Sequence, residues 1–174
     1  MTIAIADWQR KRRRGANAVA VRAKVASLQS PSTRVLKDVS IGSGDCEIEH
    51  LIIGSGGVFA VSVRKQPARY VAVDNYSMTV DGESLPHLRE SKYQAECVAR
   101  LLAGRADFEV PVRGCVVLLT GSHNTHVEYE SRPIGVSLLT KHDVPKWFRR
   151  QPKALTPEQV EAVYAIASAA VASA

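Results

Sequence analysis

The sequence predicts an α/β (α+β) fold built on a central mixed β-sheet flanked by helices. Two strand candidates, 47–53 and 58–64, stand on either side of a glycine-rich turn that suits a hairpin. The segment 113–120 holds a continuous apolar run, which is typical of a strand buried on both faces. Apolar residues recur at helical spacing in 8–29 and 87–103. Strands and helices mixed along one chain indicate a layered sheet-and-helix core.

The remaining elements are bounded by turn and capping residues. A polar loop is expected at 121–132 and a short helix at 143–150. Thr156 as N-cap, Pro157 at the first helical position and Gln159 in a capping box predict the start of the last helix. Further short strands are expected at 34–41, 69–73, 77–80 and 134–139.

Length and composition favour one globular domain over 1–174. Hydrophobic residues make up 45% of the chain and charged residues 23%, which is the ordinary balance of a globular protein. No internal repeat or long linker divides the sequence. Within the domain we expect a basic N-terminal helix in 1–30, a sheet core in 33–140 and helices in 141–174.

Cysteine usage and hydropathy predict the compartment. No apolar run approaches the roughly 20 residues that span a bilayer, so no membrane partner is expected. The first residues lack the basic-then-apolar order of a secretory signal. Cys46, Cys97 and Cys115 show no C-x-x-C spacing, which disfavours a disulfide framework or a zinc site. These features predict a cytoplasmic protein with reduced thiols.

The net charge of +6 suits a polyanionic partner. Most of the basic residues that could contact such a partner lie in two blocks, one near each end of the chain. Each block is either a phosphate-contacting patch or a solvated helix end, and the sequence favours neither. The residues expected to contact DNA or RNA under the first alternative are Arg10, Lys11, Arg12, Arg13, Arg14, Lys65, Lys146, Arg149 and Arg150.

The predicted hairpin sorts its side chains onto two faces, because they alternate along a strand. Glu47 and Glu49 share one face of the first strand, and Ser62 and Arg64 share one face of the second. The alternate residues of 59–63 point the other way, toward a core. The hairpin therefore brings an acidic pair near a Ser-x-Arg pair. This is the strand arrangement of a metal-dependent nuclease, with unusual residues in it.

Short motifs in this frame carry a resemblance to a known family. Residues 48–51 read I-E-H-L in place of a pattern I-D-H-L, and 57–61 read G-V-F-A-V, which opens the second segment of the pattern. Gln94 fits a helical glutamine, and the C-terminal segments V-P-K-W-F-R-R and L-T-P-E-Q-V fit the end of the pattern. The chain resembles the NERD (nuclease-related domain) family, a relative of the PD-(D/E)xK nucleases. The resemblance implies a restriction-endonuclease-like core.

The chain departs from the family pattern at the residues that carry the chemistry. Ser62 stands where the family has Glu, Arg64 where it has Lys, and 15–18 lack an expected helical glutamate. The resemblance implies that two carboxylates hold Mg²⁺ or Mn²⁺ while a lysine assists the attacking water. Glu49 could supply one oxygen, but Ser62 supplies no charge and Arg64 stays protonated. Each such loss typically costs on the order of 10²-fold or more in rate.

An acidic cluster offers one way to rebuild a cation site. Glu47 and Glu49, together with Asp45, fall on one side of a regular strand and could hold a metal ion. An exposed acidic edge is the favoured interpretation, since acidic residues lie mostly on surfaces. His50 is expected on the opposite face from Glu49, as a packed histidine.

Two other groups have both a functional and a structural interpretation. His123 and His126 could bind a metal if their loop were helical, but no second ligand pair accompanies them and a polar loop tip is favoured. Trp147 and Phe148 could stack on the bases of a single strand. Anchoring of a short helix onto the sheet is the favoured role of this aromatic pair.

Three functions from different classes follow from these observations. The favoured one is a catalytically impaired nuclease-related domain, a pseudoenzyme that binds DNA or RNA through Arg64 and the basic blocks and needs no cofactor. The second is an active, divergent endonuclease that uses Glu47 and Glu49 with Mg²⁺ or Mn²⁺. The third is a protein-interaction scaffold, for example a homo-oligomer, that touches no nucleic acid. At the family's site positions, Glu49, Ser62, Arg64 and Gln94 are the residues to test.

Overall fold

The computed structural model describes residues 19–21, 23–25, 27–42, 46–120 and 125–172. Residues 19–21 and 23–25 are helical. The strands and helices that follow, in chain order, are β1 (Thr33–Ile41), β2 (Cys46–Gly54), β3 (Gly57–Lys65), β4 (Tyr70–Val73), β5 (Met78–Val80), β6 (Glu83–Leu85), α1 (His87–Leu102), β7 (Val112–Leu119), β8 (His126–Tyr129), β9 (Val136–Thr140), α2 (Val144–Arg149) and α3 (Pro157–Ala172).

The strands form two mixed sheets, which confirms the predicted fold class. The larger sheet has the order β1-β2-β3-β7-β9, with antiparallel pairs at one side and the parallel pairs β3–β7 and β7–β9 at the other. The smaller sheet has the order β6-β5-β4-β8 and was not expected as a separate layer. In the part of the chain that the structure describes, every helix is too short or too polar to span a bilayer.

The central sheet is covered on both faces. On one face Val58 and Ala60 of β3 pack with residues of α1 and α3. On the other face Phe59 and Val61 pack with the N-terminal helical residues and with α2. The sequence placed a core on the second face alone; the first is also core, because α1 and α3 return to cover it. The three cysteines are buried free thiols, and His50 is fully buried as expected.

One predicted element is wrong, and one was missed. The segment 121–132 was expected to be a loop, yet its described part contains β8, which pairs in parallel with β4 from Tyr70↔His126 onward. The strand β6 pairs with β5 beyond the turn at Asp81, a hairpin that the sequence did not indicate. Both strands are short and polar, so their pairing partners, rather than their own residues, determine their conformation. Of the helix predicted at 8–29, residues 8–18 lie outside the described part of the chain.

The hairpin turn between β2 and β3 is fixed by its neighbours. Gly57 has φ +115°, and a Cβ atom there would lie 2.6 Å from the carbonyl oxygen of Pro111. The carbonyl oxygen of Ser55 accepts hydrogen bonds from the backbone N–H groups of Ala154 (2.6 Å) and Leu155 (2.9 Å). The turn is therefore held against the segment that leads into α3.

The predicted capping box at the start of α3 is confirmed. The backbone N–H of Gln159 donates to Thr156 Oγ1 at 3.3 Å, and the backbone N–H of Thr156 donates to Gln159 Oε1 at 2.9 Å. These reciprocal bonds satisfy two donors at the start of α3, where helical N–H groups have no partner within the helix.

Candidate functional site

A cleft opens at the end of the hairpin that is farthest from its turn. The regular pairing of β2 with β3 covers 50–54 and 57–61. Beyond the pair His50↔Val61 the two strands are no longer regularly paired. The side chains there line a cleft of about 400 Å³. The polar residues that line this cleft are Asp38, Ser40, Glu47, Glu49, Ser62, Arg64 and Gln94.

Glu49 takes the place of a strand hydrogen bond. Its Oε2 accepts the backbone N–H of Val63 at 2.8 Å, across the gap where β2 and β3 no longer pair. The Glu49 side chain is half-buried. One oxygen of the carboxylate at the family's acidic position therefore holds the two strands together.

Arg64 is engaged by the helix that covers the cleft. Its Nη2 lies 3.4 Å from Glu90 Oε2 of α1, and 29% of its side chain is exposed. The neighbouring His87 has its pKa lowered, chiefly by burial and secondly by the positive charge of Arg64, while Glu90 opposes both effects. Arg64 thus contributes a cation at the rim of the cleft with one carboxylate beside it.

Gln94 joins α1 to β2. Its Nε2 donates to the backbone carbonyl oxygen of Glu47 at 2.7 Å. The bond fixes the helix against the strand that carries both glutamates. Gln94 therefore lines the cleft, and its amide positions the backbone beside the candidate site.

Ser62 lines the cleft from β3. It is 2% exposed and stands on the face of β3 that Arg64 also occupies. A hydroxyl group there is small and uncharged. The cleft thus brings Glu49, Ser62, Arg64 and Gln94 together.

Asp38 is a cleft residue that sequence reasoning missed. It stands opposite Glu49 in the β1–β2 pair, between the partners Lys37↔His50 and Val39↔Ile48. Asp38 has φ +49°, an uncommon value for a residue other than glycine. Its place in the predicted strand 34–41 did not indicate it, because the pairing of β1 with β2 is what places it opposite Glu49. Asp38 adds a third acidic side chain to the cleft, beside Glu47 and Glu49.

One comparison with known proteins finds a family match. The model of the nuclease-related domain family, NERD, matches residues 11–119, which is more than half of the chain. The chain belongs to the NERD family. Comparison with curated proteins and with solved structures finds no match. The match includes the β2–β3 hairpin, the whole of α1 and all of β7.

The cleft residues do not fit the divalent-cation site that the family pattern implies. That pattern takes one carboxylate from each of the two hairpin strands, whereas β3 here supplies a hydroxyl at Ser62 and a guanidinium at Arg64. The carboxylate of Glu49 already accepts the N–H of Val63. Mg²⁺ prefers several hard oxygen donors, and a nearby cation opposes its binding. Among the described residues, no three His, Cys, Asp or Glu side chains are grouped so that they could hold one metal ion.

The predicted phosphate-contacting residues that the structure describes lie away from the cleft. Lys146, Arg149 and Arg150 are exposed on or just after α2, which packs against Phe59 on the other face of the sheet. Phe59 and Arg64 are five positions apart on β3, so they lie roughly 16 Å apart along the strand. Lys65 ends β3 with its side chain directed away from the Arg64 face. The block Arg10–Arg14 lies outside the described residues.

The remaining candidates have structural roles where they are described. The ring of Trp147 meets Phe59 edge-on at 5.4 Å, and Phe148 meets Phe59 at 5.2 Å, so the pair anchors α2 to the sheet as favoured. His126 lies on β8 with its ring stacked on that of Tyr70 at 5.7 Å. Asp45 and His123 lie outside the described residues.

Proposed function

We propose that this NERD-family chain binds DNA or RNA and is impaired in metal-dependent cleavage. The observation that carries the proposal is the composition of the cleft, in which Ser62 and Arg64 face Glu49 where the family pattern has Glu and Lys. Neither residue replaces the function of its counterpart. A serine hydroxyl carries no charge, and a guanidinium cannot accept a proton from water.

The charge distribution supports binding away from the cleft. Asp38, Glu47 and Glu49 line the cleft with Arg64 as the single lining cation among the described residues, so a phosphate there meets more negative than positive charge. The exposed cations of α2 and the net charge of +6 favour a polyanion on another surface. We place this activity in the cytoplasm, in keeping with the three free thiols.

A gain-of-function pair tests the impaired cleavage. Purified wild-type protein and the double variant Ser62→Glu with Arg64→Lys are incubated with supercoiled plasmid and Mg²⁺ or Mn²⁺, with folding checked by thermal melting. We expect an intact plasmid with the wild type and metal-dependent nicking with the double variant. The control is the double variant that also carries Glu49→Gln, which should lose the gained activity. Nicking by the wild type that Glu49→Gln abolishes would overturn the proposal.

A salt titration tests the binding. Fluorescence anisotropy of a labelled oligonucleotide should rise with wild-type protein at about 50 mM salt, and the affinity should fall on the order of tenfold or more by 200 mM, because phosphate contacts release counterions. If neither DNA nor RNA is retained at low salt, the binding proposal fails. The scaffold function without nucleic acid would then be preferred.

Asp38 favours a second candidate function, that of a divergent nuclease whose cation is held by one or two carboxylates and a substrate phosphate rather than by three side chains. It places a carboxylate opposite Glu49, in the cleft that also contains Glu47. The second candidate predicts wild-type cleavage in Mn²⁺ that falls with Asp38→Asn and with Glu49→Gln. The plasmid assay distinguishes the two candidates, because the first predicts intact plasmid under the same conditions.

A further inference from the structure

The surface opposite the cleft carries a second concave site. It is a groove of about 590 Å³ where β7 and β9 begin, and we call it the strand-start groove. The charged, aromatic and amide side chains that line the groove are those of Arg113, Tyr129, Arg132, Trp147 and Gln151. No acidic side chain of the described part of the chain lines the groove, in contrast with the cleft.

The larger sheet and α2 set the position of one side of the groove. Arg113 is the register partner of Phe59 in the β3–β7 pair, so both side chains emerge on the face that α2 covers. The ring of Trp147 packs on Phe59, and Gln151 Nε2 donates to the carbonyl oxygen of Trp147 at 2.9 Å. Arg113 therefore emerges beside an aromatic and amide wall whose positions are fixed by packing.

Tyr129 and Arg132 form the other side. Tyr129 is the last residue of β8 and is 49% exposed. The pKa of its phenol is raised by burial and by Asp143, and the nearby Arg132 guanidinium opposes this effect. The carboxylate of Asp143 is itself held by the hydroxyl of Thr140 at 2.6 Å. Arg113 and Arg132 are exposed, so two guanidinium groups and a half-exposed ring face one groove.

We propose that the strand-start groove binds a single-stranded segment of nucleic acid, a proposal that rests on the proposed function. Planar guanidinium groups suit phosphates, and aromatic rings stack on bases of any sequence. In a duplex the base faces are stacked on one another and cannot reach Tyr129. Arg150 follows α2 three positions after Trp147, so it lies next to the wall and extends the positive surface beyond the groove.

The groove and the cleft lie on different faces of the larger sheet. The groove lies at the start of β7 and on the α2 face, whereas the cleft lies at the end of β3 and on the α1 face. A strand held in the groove is thus kept on the other side of the sheet from Glu49 and Ser62. The groove offers cations and rings where the cleft offers carboxylates.

A matched pair of charge variants tests the groove. Arg113→Gln with Arg132→Gln removes two charges from the groove, and Arg89→Gln with Arg105→Gln removes two exposed charges elsewhere. Affinity for a labelled 15-nucleotide single strand, measured by anisotropy across a salt series, should fall at least tenfold in the groove variant. The slope of log K against log salt should fall by about 1.4, because each single-strand phosphate contact contributes ~0.7. The control variant should change the affinity less than threefold.

A third variant and two competitors make the test specific. Tyr129→Leu should weaken single-strand binding about fivefold or more and leave binding of heparin, a polyanion without bases, unchanged. A matching duplex and polyglutamate should compete less well than the single strand. Equal affinity of the groove and control variants for the single strand would overturn the groove while leaving the proposed function intact. The groove proposal would also be overturned if polyglutamate competed as well as the single strand did and Tyr129→Leu had no effect on single-strand binding.

Discussion

The two ends of the β2–β3 hairpin differ in what holds them. At the turn end, backbone groups from distant segments hold the chain, since Ser55 accepts two N–H groups from the segment before α3 and Gly57 packs on Pro111. At the cleft end, strand pairing gives way to a side-chain contact from Glu49 to the backbone of Val63. Backbone contacts therefore hold the turn end, whereas a single side-chain contact joins the two strands at the cleft end.

The largest expected effect is at the turn. Gly57→Ala forces a Cβ into a position 2.6 Å from a backbone oxygen at φ +115°, so the free energy of unfolding should fall by about 2–4 kcal/mol. Gly82→Ala is the control, because Gly82 has φ +88° with open space around it and should cost about 1–2 kcal/mol. Urea denaturation of both variants measures the difference. Equal losses would show that Pro111 does not constrain the turn.

The next effect is at the cleft end. Glu49→Ala removes the acceptor of the Val63 N–H and should lower the free energy of unfolding by about 1–2 kcal/mol. Glu49→Gln keeps an oxygen acceptor and should retain most of that stability. Glu47→Ala, an exposed side chain, should change stability by about 0.5 kcal/mol or less. A loss at Glu47 as large as that at Glu49 would contradict the bridging role of Glu49.

A smaller effect is expected where the turn meets α3. Thr156→Ala removes the N-cap acceptor and should cost about 1 kcal/mol of unfolding free energy. Gln159→Ala removes the reciprocal bond, and the double variant should cost less than the sum of the single variants, because the two side chains cap the same helix end. A double-mutant cycle in urea measures this coupling, and strict additivity would argue against a working capping box.

The smallest effect is a pH dependence at the cleft end. Because the pKa of folded His87 lies below its ordinary value of 6.5, the folded state binds fewer protons near that pH than the unfolded chain. The contribution of His87 to stability is therefore full above about pH 6.5 and is lost as the pH falls toward the folded pKa. Arg64→Gln should raise the pKa of His87, as followed by NMR titration of its ring. Arg89→Gln is the control, and equal titration in the two variants would show that Arg64 does not act on His87.

Local sequence signals predicted much of the fold. The hairpin, α1, the capping box and the apolar strand β7 each carry their signal within a few neighbouring residues, so each could be recognised without the rest of the chain. The strand β8 could not, since its conformation depends on pairing with β4, which is more than fifty positions away. Asp38 was missed for a related reason, because only the β1–β2 register places it opposite Glu49.

The sequence by itself indicated part of the candidate site, since alternation puts Glu47 and Glu49 on one face of β2 and Ser62 and Arg64 on one face of β3. Only the tertiary structure decided that Lys146, Arg149 and Arg150 lie on the opposite side of the sheet from the cleft, and that Arg113 and Arg132 meet in one groove. The reason is that side-chain alternation is a property of a single strand. The sides on which separate elements pack depend on contacts between residues far apart in the chain.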